Sequence, residues 1–408
     1  AGALAAGAFA ACARPAAPAA AVDPPMAGKR VEARQGMVVS SAADASAAGL
    51  AMLRQGGNAV DAAVATAFAL GVVDPSQTGL GGYAVGVVWL AGPKRAEVLE
   101  AMGETGADSA WGAPDSARTT SVFDGGDARQ PRTALVPGFV AGLLALHERH
   151  GRLPRATVLE PAVRLARDGF VVGPLNHRLF AASVDKLRAD SAAAALFLPG
   201  GQPPRVGDRL VQQELAGLLE ALARDGARAM YEGPVAARIA RKTRAVGGLL
   251  DSADLARYRP AFVRPACATF RGMTVLAAPG PVAGPTVAEV LQLAESSGAL
   301  AMGDPVREPA AAVRWADAIR VALADRGNYQ GHPTWAAGAQ RGVSSAGFAR
   351  ARAALVGRPL AVDSLGRGDA WAHENDAVPA ACAALDPYPA TPRPPAAAGS
   401  AGTRDGAG

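Results

Sequence analysis

Few groupings in this 408-residue sequence have the residue types and spacing to do chemistry. Ser183-x-x-Lys186 sets a hydroxyl nucleophile one helical turn from an amine. That arrangement works in serine sites that also carry Ser-Asp-Asn and Lys-Thr-Gly elements. Both are missing here, as is any Gly-x-Ser-x-Gly elbow, so the pair reads as a chance match on a solvated helix. Gly79-x-Gly81-x-x-Ala84 has the glycine spacing of a dinucleotide loop. Such a loop must follow a strand and open a helix, so that the helix dipole meets the pyrophosphate. Here the pattern runs helix, loop, strand, the reverse. His147 and His150 could share a helix face as metal ligands, but no carboxylate or cysteine cluster completes a set. They read instead as histidines placed favourably at a helix C-terminus. Cys267 and Cys382 are expected as ordinary thiols, with a disulfide between them the alternative in an exported protein. No metal site, no cofactor motif and no complete active site emerges from motifs alone.

The composition narrows the class. Half the residues are hydrophobic and 19% are charged, enough apolar material to offset the ordering entropy of one large core or two smaller ones. No apolar run reaches about 18 residues, so no membrane-spanning helix is expected. Three cysteines (Cys12, Cys267 and Cys382) are too few for a disulfide scaffold. The net charge of +5 is spread through an Ala-rich chain, with aromatics at 5%. A nucleic-acid reader clusters its basic residues and interleaves aromatics, so nucleic acid is not an expected partner.

Positioning any chemistry falls to the elements. Met37-Val38-Val39 is expected as a short strand, followed by a helix from Ala45 to Leu53 closed by Gly56-Gly57. Asn58 can cap the next helix, Ala59 to about Val73, which is apolar nearly all round and must lie between layers. After the loop Thr78-Gly79-Leu80-Gly81-Gly82, strands at 83–90 and 95–100 form a hairpin. Helices follow at about 138–150, 155–167, 212–224, 234–245, 252–257, 284–296 and 309–326, with strands at 262–270 and 273–277. Strands and helices do not alternate regularly, which predicts an α+β layered architecture rather than a doubly wound sheet.

The two ends read differently from the body. Residues 1–12 look like the apolar remnant of a secretion signal. Phe9-Ala10-Ala11-Cys12 resembles a bacterial lipidation site on Cys12; the alternative is an ordinary small-residue cleavage site nearby. Both imply export, periplasmic or extracellular. Residues 13–33 form a Pro/Ala-rich tether, residues 34–385 the body, and residues 386–408 a soft Pro/Ala/Gly tail expected to be mobile.

Within the body several segments together resemble the large subunit of the γ-glutamyltransferase (γ-glutamyl transpeptidase) family. They are Gly36-Met-Val-Val-Ser-Ser, Gly56-Gly-Asn-Ala-Val-Asp-Ala-Ala-Val-Ala, Gly71-Val-Val-Asp-Pro-Ser with Gly79-Leu-Gly-Gly, and Val136-Pro-Gly-Phe-Val-Ala-Gly. Pro161-Ala-Val-Arg-Leu-Ala-Arg-Asp-Gly-Phe, Gly247-Gly-Leu-Leu-Asp-Ser-Ala-Asp-Leu-Ala-Arg-Tyr and Ala324-Asp-Arg-Gly-Asn-Tyr-Gln-Gly-His-Pro follow in the family's order. The resemblance implies an N-terminal-nucleophile hydrolase: an αββα sandwich made as one precursor that cuts itself. The cut frees a Thr at the start of a small subunit, whose hydroxyl attacks an amide while its own α-amine acts as base. A Thr-Thr-His-like run is absent here, and Thr403-Arg404-Asp405 does not match it. The catalytic nucleophile is therefore expected on a small subunit outside this chain, whether by processing or by truncation, and no cofactor is implied. That subunit is also expected to supply missing strands and cover for the 59–73 helix, leaving residues 34–375 alone poorly soluble.

One departure bears on substrate. The family places an Arg before a Glu-Thr pair to hold the α-carboxylate of a γ-glutamyl group. Here the stretch is Met102-Gly103-Glu104-Thr105, with Gly103 at the Arg position and Glu104 aligned with the family's Glu. Loss of such a desolvated pair costs about 2–5 kcal/mol. Tyr83 also stands where many relatives continue with Gly. Arg118 or Arg129 could reach in instead. The readings left open are a hydrolase or transferase of glutathione and other γ-glutamyl compounds, an acylase for a different amide, and a truncated, inactive relative.

Overall fold

The computed structural model describes residues 31–106, 134–329, 338–358, 365–385 and 387–390. Cys12, Arg118, Arg129 and Thr403-Arg404-Asp405 lie outside them. Residues up to Met37 form one unit, described only over 31–37, which are exposed and lack regular structure. The second unit runs from Val38 onward. The expected strand at 37–39 does not form: no ladder pairs it, and Val39 is exposed.

The first two helices set the frame. Helix α1 (Ala43–Arg54) packs on α2 (Ala59–Val73), and Gly49 permits the close approach, because a Cβ there would lie 2.2 Å from Thr66 Oγ1. Asn58 begins α2 with a complete capping box. Its side chain accepts from the amides of Val60 and Asp61, and the Asp61 carboxylate accepts from the Asn58 amide. Eleven of the fifteen α2 residues are buried. Their cover is α1, α3 (Phe139–His150) and α4 (Arg155–Asp168), all from this chain, so the expectation that a second subunit must shield α2 is corrected. Sequence patterning showed that α2 needed cover but not which segments would fold back over it.

Strands β1 (Ala84–Leu90) and β2 (Arg95–Ala101) form the expected antiparallel hairpin, with Ala84 opposite Ala101 and Leu90 opposite Arg95. The expected single strand at 262–270 is two. Pro265, which lacks an amide donor, separates β3 (Ala261–Val263) from β4 (Ala266–Phe270). β3 joins β2, giving the order β1-β2-β3, whereas β4 pairs with β5 (Met273–Ala277) in its own two-stranded sheet. Helix α3 lies on β1 and β2, and Gly142 lets it approach, since a Cβ there would sit 2.3 Å from that of Ala101. One large apolar cluster runs from Ala45 to Tyr258. A smaller one joins α5 (Gly284–Ser296), α6 (Pro309–Tyr329) and α7 (Ala346–Arg352). Three short helices between Pro174 and Phe197 escaped the periodicity reading because each spans fewer than three turns.

Cys267 on β4 and Cys382 form a disulfide across 115 residues, so these are not the free thiols first expected. The Tyr388 amide donates to Pro265 O at 2.7 Å, and Tyr388 is half-buried. Among the described residues no helix is long and apolar enough to cross a membrane.

The histidines of α3 lie against carboxylates. His150 Nε2 lies 3.0 Å from Glu97 Oε2, and His147 Nε2 lies 3.0 Å from Leu153 O and 3.3 Å from Asp61 Oδ1. Arg149 grips Glu97 with two bonds and Arg95 adds a third guanidinium contact at 2.7 Å. The Arg149 hydrogen bond, opposed by burial and supported by His150, holds the Glu97 carboxyl at about 2. A depressed carboxylate stabilises the fold fully above its unfolded value and loses that contribution as pH falls through the folded one. Urea midpoints of the parent should therefore fall between about pH 4.5 and 2 more steeply than those of Glu97→Gln. Parallel curves would show that Glu97 does not carry acid sensitivity.

Candidate active site

Three backbone segments meet at the end of β2. The glycine loop turns through a Gly82 N–H···O=C Gly79 bond of 3.0 Å. The Gly82 carbonyl then accepts from the amides of Gly138 and Phe139 at 2.9 and 3.0 Å, two donors otherwise orphaned at the start of α3. The loop the sequence offered as a phosphate cradle thus spends a carbonyl on capping a helix.

Past Ala101, Met102 and the start of α3 are held by two tyrosines. Tyr258 donates from its hydroxyl to Met102 O at 2.7 Å. Tyr231 donates to Pro137 O at 2.6 Å and accepts from the Ala141 amide at 3.2 Å. The rings stack with centroids 5.9 Å apart. Burial pushes the Tyr231 hydroxyl up to about 12, opposed by the Ala141 amide, and burial raises Tyr258 as well. Both therefore stay neutral and act as fixed donors. Gly138 is required here: a Cβ would fall 2.0 Å from Ala101 O and 2.5 Å from the Tyr258 hydroxyl. Neither tyrosine was singled out from sequence, although a Tyr ending a helix beside a Gly-rich motif was the available signal.

Glu104 and Val136 exchange backbone hydrogen bonds, 2.7 Å from the Val136 amide to Glu104 O and 3.4 Å in return. Gly103 consequently faces Leu135, and a Cβ at 103 would stand 2.8 Å from Leu135 Cβ. The place where an Arg side chain would leave the backbone is taken by an apolar side chain. Glu104 itself is exposed. Tyr83, next to the loop, is exposed too, as are Val87 and Trp89 on β1. Ser183 and Lys186 fall at a short helix, with Lys186 exposed. Among the described residues no group of three His, Cys, Asp or Glu side chains could hold a metal ion. Chemically, the arrangement offers a rigid backbone edge, an exposed carboxylate and apolar cover.

A family model described as gamma-glutamyltranspeptidase matches residues 45–381. The chain belongs to the gamma-glutamyltranspeptidase family. Among curated relatives of the family, the acylase ACY 1 proenzyme of Pseudomonas sp. (strain V22) is 35% identical over 299 residues, 72% of this chain and 53% of that protein. The glutathione hydrolase proenzyme of Escherichia coli (strain K12) is 34% identical over 312 residues, 74% of this chain and 52% of that protein. The chain thus spans about half the length of these curated relatives. The structure of Helicobacter pylori gamma-glutamyltranspeptidase superimposes with a TM-score of 0.75 at 25% identity, covering 82% of this chain and 96% of that one. Cephalosporin acylase from Bacillus halodurans superimposes with a TM-score of 0.66 at 27% identity, covering 78% and 60%. The fold is the α+β fold of this gamma-glutamyltranspeptidase group of N-terminal-nucleophile hydrolases.

Proposed function

We propose that this chain is the large-subunit part of a self-processing amide hydrolase or acyl transferase. The observation that carries the reading is the sheet beside the family's motifs. There β1 is an edge strand, with Val87 and Trp89 exposed on it, matching a surface that a second subunit covers. The small subunit of the same precursor supplies a Thr. Its hydroxyl attacks the substrate carbonyl, its α-amine takes the proton and later delivers it to the leaving amine, and water or an acceptor amine releases the acyl group. In this scheme the residues of this chain bind and orient, and no cofactor takes part. The substrates are glutathione and other γ-glutamyl compounds.

A second reading, an acylase for a different amide, is favoured by Gly103 lying under Leu135. An apolar side chain there suits an acyl group without a free α-carboxylate. Site of action is outside the cytoplasm, periplasmic or extracellular, which the Cys267–Cys382 disulfide favours because such bonds persist in oxidising compartments. Expression of the full precursor tests the class. Two fragments are expected, the smaller beginning with Thr, with amide hydrolysis appearing as cleavage proceeds. A precursor that folds but stays whole would leave the inactive-relative reading standing.

A further inference from the structure

The smaller apolar cluster encloses an acid. Glu289 on α5 stands one helical turn before Leu293, a member of that cluster, and is fully buried. No donor among the described residues reaches either of its carboxyl oxygens. Its neighbour on α6 is a second fully buried acid, Asp325, close enough for the two side chains to share a hydrogen bond. Asp325 is already satisfied: its Oδ2 accepts from Arg352 Nε on α7 at 2.9 Å, and its Oδ1 from the Gly368 amide at 2.6 Å. Arg352 is committed as well, with Nη2 donating to Gly366 O at 2.7 Å. One guanidinium therefore serves two carboxyls that solvent does not reach.

Two ionised carboxylates cannot bond to each other, because neither has a proton to donate. Left ionised, Glu289 would be a buried charge with no donor and a like charge beside it. One proton removes both faults. A protonated Glu289 donates its O–H to Asp325 and leaves a single negative charge for the single guanidinium. Burial first, then the charge of Asp325, push the Glu289 carboxyl well above the usual carboxylate range, against the pull of Arg352. Among the described residues no other charged group acts on it. β4 and β5, which also pack on α5, carry no group that titrates, since Cys267 is in the disulfide. The helix Gln340–Val343 brings Arg341, which is turned to the Asp376 backbone carbonyl. The remaining charges of α6 and α7, on Arg314, Asp317, Arg320, Arg326 and Arg350, do not reach it, and Glu295 of α5 is bonded to the Arg271 amide.

We propose that Glu289, Asp325 and Arg352 form a proton-held latch joining α5, α6 and α7, closed while Glu289 keeps its proton and loosened as alkaline solution removes it. Deprotonation breaks the O–H···O bond to Asp325, sends the proton to solvent and sets two anions against each other across the α5–α6 contact. The helices part there, while the larger cluster around α2 stays packed. The sign follows from where the proton is held. An opened or unfolded segment releases it near the ordinary value of 4.5, and the closed latch only at a higher pH. The latch is at full strength below that ordinary value and weakens steadily as pH rises towards the folded one.

Native-state hydrogen exchange of the assembled, full-length protein tests this, with the parent and Glu289→Gln compared at each pH between about 6 and 8. The glutamine amide donates to Asp325 as the protonated acid does, and it does not ionise. At equal pH the intrinsic exchange chemistry is the same in both proteins. Exchange of α5 and α6 amides in the parent relative to the variant should rise by up to about tenfold per pH unit, and that of α1 and α2 amides should not. Infrared spectra give a second readout, because a protonated carboxyl absorbs apart from an ionised one. At about pH 7 the parent should show a protonated-carboxyl band that Glu289→Gln lacks. If Glu289→Gln does not fold, Asp325→Asn serves: Arg352 then pairs with Glu289, which ionises, and the band is lost. A parent-to-variant exchange ratio that stays flat with pH would overturn the latch, as would one that rises equally in α1 and α2. A parent without the band would overturn it too.

Discussion

Gly103→Arg combined with Leu135→Gly should raise kcat/KM on a γ-glutamyl anilide by at least about tenfold in the assembled enzyme, equivalent to about 1.4 kcal/mol. A desolvated guanidinium–carboxylate pair is worth about 2–5 kcal/mol when one partner is deleted, and an introduced Arg should recover part of that. Leu135 must yield because its Cβ and Cδ1 lie 2.8 and 2.9 Å from where the new Cβ would stand. Gly103→Arg alone should therefore gain less than the pair. A substrate without the α-carboxylate should show no gain from either variant. High parental activity with strong carboxylate dependence would mean that another cation, such as Arg118 or Arg129, already does this work, and the variants would then be neutral or harmful.

Asp61→Ala should cost about 3–5 kcal/mol of stability and leave a protein that no longer melts cooperatively at growth temperature. The carboxylate is fully buried. It accepts from the amides of Asn58 at 2.8 Å, Arg152 at 3.0 and 3.1 Å, and Leu153 at 3.2 Å, with His147 Nε2 3.3 Å away. Truncation strands three partly buried amide donors, which at full burial would cost about 1–3 kcal/mol each and are partly relieved by water. It also releases the loop that orients α4 against α2. His147→Ala should cost much less, since the backbone donors keep their acceptor. Urea unfolding of the three proteins decides it; equal losses for the two variants would place the cost in the histidine instead.

Much of this was readable from residues. The α2 cap was legible in Asn58, because capping is local and needs only the side chain and three following amides. The β1–β2 hairpin was legible from the strand patterns on either side of a turn at Ala91-Gly92-Pro93, although its register was not. What was not legible depends on contacts far apart in sequence. Asp61 read only as an interruption of an apolar helix, since two of its three amide donors lie about ninety residues away. The Cys267–Cys382 bond is 115 residues long, and spacing cannot choose it. Gly103 was flagged by a missing side chain, but its packing against Leu135 follows from the Glu104–Val136 bridge, which no motif announces.

The half-exposed indole of Trp89 gives the molecule a natural optical gauge. An indole in water emits towards the red, and one enclosed in apolar surroundings emits towards the blue. Trp89 sits on the strand face assigned to subunit contact, so docking should shift its fluorescence without any added dye. Of the five tryptophans, Trp111 and Trp335 lie outside the described residues, and subtracting the spectrum of Trp89→Phe isolates the signal of interest. A trace of that difference during refolding of the full precursor would time the covering of β1, separating it from the moment turnover begins. A Trp89 spectrum unchanged on assembly would place the contact on another face.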